Sequence, residues 1–120
     1  MHNSDMYTPI SKELTAASAS SLILSILCGG DSYGYAIIKR VRDLSGGALE
    51  WTEGMLYPVL HRLEEQGAVS SYWAGAEGSR RRKYYSVTES GRGLLETQMN
   101  QWKLVDAALR NSISEGVNGV

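Results

Sequence analysis

The chain has a single cysteine, Cys28, so it cannot form an internal disulfide, and its two histidines, His2 and His61, stand too far apart in sequence to suggest a metal-ligand cluster. Long apolar runs are missing as well. The best of them, AASASSLILSIL, is broken by four serines and is too short to span a bilayer. It has neither the basic flank nor the small-residue cleavage pattern of a secretory signal, which makes the cytoplasm the expected compartment and a membrane no expected partner. Net positive charge is also lacking: the formal charge is −1, so any affinity for nucleic acid must come from local placement of basic residues. No glycine-rich phosphate loop, HExxH, paired-cysteine motif or nucleophile elbow occurs, and the chain reads as non-enzymatic with no cofactor. Cys28 lies in an apolar stretch and reads as a small core residue.

What is present is ordinary globular material. With 120 residues, 42% of them hydrophobic and 21% charged, the chain has enough for one modest core. Its charge is unevenly spread, because Arg80, Arg81, Arg82 and Lys83 concentrate four of the twelve basic residues in one place. Taken alone, such a run is commonly a solvated face. Its flanks, AVSSYWAG and KYYSVT, alternate as strands do: Val69, Ser71 and Trp73 lie on one side of the first and Ser70 and Tyr72 on the other, and in the second Tyr85 and Val87 oppose Tyr84 and Ser86. The small residues AGAEGS between them make a turn, so residues 69–88 are expected to form a β-hairpin with a cationic tip and returning strand. Strand alternation would aim Arg80 and Arg82 one way and Arg81 and Lys83 the other, on a hairpin standing clear of the body.

Elsewhere the periodicity is helical. Leu22, Ile23, Ile26 and Leu27 form a stripe within a helix from about Thr15 to Cys28, stopped by Gly29-Gly30. Asp31 or Ser32 can cap a second helix carrying Ala36, Ile37, Val41 and Leu44, which ends at Ser45-Gly46-Gly47. The tetrapeptide ALEW fits an edge strand or an extended linker. Thr52 then caps a third helix, 52–66, with Leu56, Val59, Leu60 and Leu63 on one face, and a last helix runs from Thr88 to about Ile113. The tails, including residues 1–11, are expected to be flexible. Helix, helix, short strand, helix, hairpin and helix together describe a mainly α chain with a small β-wing: a winged helix-turn-helix domain over 1–88, followed by a C-terminal dimerisation helix over 89–120.

That arrangement gives Pro58 a place. Proline inside a helix removes one backbone hydrogen bond and clashes with the preceding turn, at about 3 kcal/mol unless the chain can bend. Here the lost bond is to the carbonyl of Gly54, in the first two turns, so only the N-terminal end need tilt. With the leucines turned inward, the opposite face presents Gly54, Tyr57, Pro58, His61 and Arg62 to a partner.

The segments SYGYAIIKR, GMLYPVLHRLEEQG and RRKYYSVTESG, in this order and spacing, resemble the PadR-like transcriptional regulators, a winged-helix family of phenolic-acid- and multidrug-responsive repressors. The likeness spans roughly residues 12–105. Glu53 departs from it, since Pro or a small polar residue is common there. The resemblance implies a homodimer on a double-stranded inverted-repeat operator, one third helix per half-site.

Several roles can be assigned as expectations. Phosphate contacts fall to Arg80, Arg81, Arg82 and Lys83, or the minor groove to one of the arginines. Backbone or base-edge contacts fall to Tyr57 and His61, and backbone support to Tyr35, Lys39 and Arg40. Dimerisation is expected through a stripe of Leu95, Met99, Trp102, Val105, Leu109 and Ile113, which would otherwise fold back on its own domain. Trp102 either contributes interface area or, with its symmetry mate, flanks a cavity for a flat aromatic effector, around which Met99 can adapt. The competing function is a winged-helix module that binds protein instead of DNA, for which an intact cationic wing would be superfluous.

Overall fold

The computed structural model describes residues 10–75, 78 and 80–118. Seven elements follow in order: α1 (Lys12–Cys28), β1 (Ser32–Tyr33), α2 (Gly34–Leu44), α3 (Glu53–Glu65), β2 (Val69–Ala74), β3 (Arg82–Val87) and α4 (Glu89–Asn118). Most of the segment expected to be flexible at the N-terminus lies outside the described residues. Its last two residues are tied down: the Ile10 N–H donates to the Ala48 carbonyl at 3.3 Å, and the Ser11 hydroxyl caps α1 by accepting from the Leu14 N–H at 3.2 Å.

α1 is the central post. Ala19, Ile23, Leu24 and Leu27 are fully buried, and Leu22 and Ile26 are partly so, because α2, α3 and β3 pack around it while α4 returns against it. Against this post α3 lays Leu56, Val59, Leu60 and Leu63, all buried. Each such side chain contributes about 1.5–3 kcal/mol relative to exposure. Thr52 caps α3 by accepting from the Met55 N–H at 3.2 Å. Pro58 stands inside α3 on its exposed side, and the Gly54 it leaves without a donor is itself exposed, where water can serve that carbonyl.

Three expectations need correction. ALEW is no strand; it is an extended linker that tucks Leu49 and Trp51 into the core. The third strand is instead Ser32–Tyr33, within the stretch read as a helix cap, and α2 starts after Tyr33 with no side-chain cap. Leu44, expected on the buried stripe of α2, is exposed, because that helix needs only Ile37 and Val41 to meet α1 and α3.

The sheet is antiparallel in the order β1-β3-β2. Val69 pairs with Val87, Ser71 with Tyr85 and Tyr72 with Tyr84, so the alternating sides of the two runs meet in phase; Ser32 pairs with Tyr85 and Tyr33 with Tyr84. With β3 in the middle and Tyr85 buried, the wing is part of the body and does not stand clear of it. Thr88 joins sheet to α4: its hydroxyl donates to the Gly67 carbonyl at 2.6 Å and accepts from the Gly91 N–H at 3.0 Å. α4 then extends past the domain to give overall dimensions of 67 × 38 × 21 Å. No helix among the described residues is long and apolar enough to cross a membrane.

The start of α4 yields a paired prediction. A Cβ on Gly91 would collide with the Ala68 carbonyl and lie 2.9 Å from Val87 Cγ2, whereas one on Gly93 meets nothing within 4 Å. Gly91→Ala should therefore destabilise by about 1–3 kcal/mol. Gly93→Ala should stabilise by about 0.5–1 kcal/mol, as expected for an exposed helical glycine. Urea unfolding of the two variants checks the opposite signs.

Candidate nucleic-acid interface

Folding brings the cationic segment to the N-terminal end of α3. Between the start of α2, the start of α3 and the wing runs a groove of about 530 Å³. Arg80, Arg81, Arg82 and Lys83 line one wall, with Trp73 beside them; Tyr33, Gly34 and Tyr35 come from the β1–α2 junction, and Glu53 and Tyr57 from α3. Of the residues singled out in the sequence, the groove thus gathers Tyr35, Tyr57 and all four cations. Gly54, Pro58, His61 and Arg62 lie on the exposed side of α3 outside it, and Lys39 is exposed on α2. His61 Nε2 sits 3.6 Å from Glu65 Oε2, an exposed pair worth little to stability.

The cations do not split into the two outward-facing pairs expected. Arg80 and Arg81 precede β3, so strand alternation starts only at Arg82. The Arg82 guanidinium lies 4.6 Å from the centre of the Tyr33 ring, on the outer face of the sheet, and Lys83 Nζ lies 5.7 Å from that of Tyr85 on the inner one. Ring electrons thus hold both side chains near the sheet, while all four still reach the groove wall.

An aromatic ladder stiffens this wall. Tyr72 stacks on Tyr84 with centroids 5.7 Å apart, and Tyr84 meets Tyr33 edge-on at 5.3 Å. The Tyr72 hydroxyl donates to Asp31 Oδ2 at 2.7 Å, tying β2 to the turn before β1. That bond, with a second from Ser86, holds the Asp31 carboxyl below its ordinary range, and the same bond holds the Tyr72 phenol above its own. On the inner face the Ser71 hydroxyl donates to Glu64 Oε2 at 2.6 Å, tying β2 to α3. Burial first, then the charge of Glu64, raises the Tyr85 phenol.

Gly34 and Trp73 were not among the residues singled out. A Cβ at Gly34 would run into the Tyr57 hydroxyl and sit 2.8 Å from Tyr57 Cζ, so the glycine of YGY is what lets Tyr57 lie against the start of α2. Trp73 is 60% exposed, lines the groove and pairs across the hairpin with Lys83.

The C-terminal stripe divides in two. Leu95 is partly buried against its own core, where α4 packs on α1 and β3. Trp102 is half-buried and its indole N–H donates to the Ser21 hydroxyl at 3.3 Å, while Ser21 donates to Gln98 Oε1 at 2.7 Å. Beside the indole is a groove of about 270 Å³ lined by Ala17, Ser21, Gln98, Gln101, Trp102 and Val105; Met99 does not line it. Met99, Val105, Leu109 and Ile113 are exposed, at 46–65%.

Residues 23–97 match the model described as the transcriptional regulator PadR-like family. Among solved structures, a transcriptional regulator from Clostridium thermocellum is 33% identical with a TM-score of 0.78, over 85% of this chain and 96% of that one. A PadR family transcription regulator from hypervirulent Clostridium difficile R20291 is also 33% identical, with a TM-score of 0.71 over 80% of this chain and 98% of that one. The transcriptional regulator YqjI of Escherichia coli K12 is 32% identical over 89 residues, which are 74% of this chain but only 41% of that protein's length.

The Asp31–Tyr72 bond gives a pH prediction. A carboxyl held low contributes stability above the usual aspartate range and loses it as pH falls through the lowered value; a phenol held high contributes below the usual tyrosine range and loses it as pH rises through the raised value. In an ultraviolet titration, Tyr72 and Tyr85 should ionise above the ordinary tyrosine range. Asp31→Asn should return one of these two late ionisations to the ordinary range.

Proposed function

The chain belongs to the PadR-like family of transcriptional regulators, whose members bind DNA and are typically dimeric, and from this we propose that it is a homodimeric repressor reading an inverted-repeat operator. The observation that carries the reading is the single groove in which Tyr57 at the start of α3 faces the four wing cations. In this reading α3 enters the major groove, where Gly54, Tyr57, Pro58, His61 and Arg62 form the approaching face. The wing tracks the sugar-phosphate backbone with Arg80, Arg81, Arg82 and Lys83, and Tyr35 and Lys39 steady the flanking phosphates. A chain of net charge −1 gains affinity for a polyanion this way because the attraction is local and falls off within a Debye length of about 10 Å at 0.1 M salt.

Dimerisation runs through the exposed part of the α4 stripe. Met99, Val105, Leu109 and Ile113 form an apolar face that a second copy of α4 would cover. Trp102, anchored to Ser21 by its N–H, keeps part of its ring free beside the smaller groove, a suitable platform for a flat aromatic effector. Ligand there would tilt α4 against α1 and change the spacing of the two reading helices.

Three outcomes are expected. Replacing both Arg81 and Arg82 with alanine should weaken binding to all duplexes and lower the salt slope of log K by about 0.9 for each phosphate that is no longer neutralised; unchanged binding would reject the role of the wing. Leu109→Glu with Ile113→Glu should convert the dimer to a folded monomer in analytical ultracentrifugation. A planar aromatic ligand should quench tryptophan emission in the wild type and not in Trp102→Ala; equal quenching in both would remove Trp102 from the effector site.

A further inference from the structure

The groove is lined by four cations and, among the described residues, one carboxylate, Glu53. A carboxylate facing a polyanion lowers affinity for every duplex alike, unless it finds a donor there. Glu53 is the first residue of α3, is exposed, and stands one turn before Tyr57 on the same side of the helix. Its charge suits the N-terminus of α3, as an acid in the first turn does, but that role asks only for a position on the helix and not for a place in this groove. The capping bond at this terminus is made by Thr52, and among the described residues Glu53 forms no ion pair with the wing cations across the groove. Next to it, a Cβ on Gly54 would meet nothing nearer than Thr52 Oγ1 at 3.8 Å, so the backbone leaves open space beside the carboxylate.

On the major-groove edge of a duplex the available donors are the N4 amino group of cytosine and the N6 amino group of adenine. Adenine sets the N7 acceptor next to its donor, where it repels the second carboxylate oxygen. Cytosine has only a C–H on that side. Resting on the reading that this groove faces a duplex, we propose that Glu53 is a specificity-determining residue. It accepts from the N4 amino group of one cytosine per half-site, and its charge holds down binding to other sequences. The four cations attract any duplex; Glu53 makes the attraction conditional on sequence.

The test is selection from a random duplex pool with the full-length chain as wild type, Glu53→Gln and Glu50→Gln. Glu50 is also exposed and lines a different groove, so its variant controls for the change in net charge. The wild-type consensus should contain one cytosine per half-site that the Glu53→Gln consensus lacks, with adenine favoured there, since a glutamine amide both donates to N7 and accepts from N6. Affinity of Glu53→Gln for a scrambled duplex should rise about tenfold, while Glu50→Gln keeps the wild-type consensus and stays within about twofold. Identical wild-type and Glu53→Gln consensus sequences, or an equal rise in Glu50→Gln, would overturn the role of Glu53 and leave the DNA-binding reading intact. Failure of the wild type to bind any duplex would overturn both.

Discussion

Leu56, Val59, Leu60 and Leu63 are held beneath α3 against α1, α2 and the sheet, and while they stay there the opposite face of that helix can only look outward. The rest of the molecule depends on this burial. It sets the rotation of α3 about its axis, and so brings Glu53 and Tyr57 to the groove and leaves Pro58 and His61 in solvent. Rotating the helix by one residue, about 100°, would bury a proline that offers no N–H and expose a leucine. Because the core resists that exchange, α3 presents the same face before any partner arrives, and the ordering cost of binding falls on its exposed side chains and not on the rotation of the helix.

The wing obeys the same constraint. β3 runs between β1 and β2, Tyr85 is buried, and Asp31, Tyr33, Tyr72 and Tyr84 brace its outer face, so Arg82 and Lys83 ride on a supported strand and Arg80 and Arg81 lead into it. This matters for a chain whose total charge is close to neutral. Four cations on a floppy arm would be averaged over many positions, whereas four on a wall beside α3 create a field with a direction. Gly34 closes the circuit, since its missing side chain lets the phenol of Tyr57 reach the turn from which α2 and β1 diverge.

Helical and strand periodicity made the order of the larger elements, the inward face of α3 and the hairpin of β2 with β3 legible, because each is a local pattern or is linked by a short turn. What escaped was non-local. β1 is two residues long and exists only because β3, some fifty positions later, offers it a partner. The half-burial of Trp102 depends on Ser21, 81 residues away, and the packing of Leu95 depends on how much of α1 the first helices leave uncovered. The four adjacent cations were plain in the sequence, but their capture by Tyr33 and Tyr85 was not, since alternation along a strand says nothing of which rings stand beneath it. Trp73 carried no signal beyond its place on a strand.

In the proposed complex a duplex sits in one groove, bounded by α3 and the wing. The most direct test of this placement is backbone and side-chain NMR shift mapping of the isotope-labelled chain, titrated with a duplex it binds specifically. The largest changes should cluster at residues 33–35, 53–62 and 80–83, with the Arg82 guanidinium shifted off the Tyr33 ring. Changes centred on α4, with the wing and the start of α3 unmoved, would contradict it.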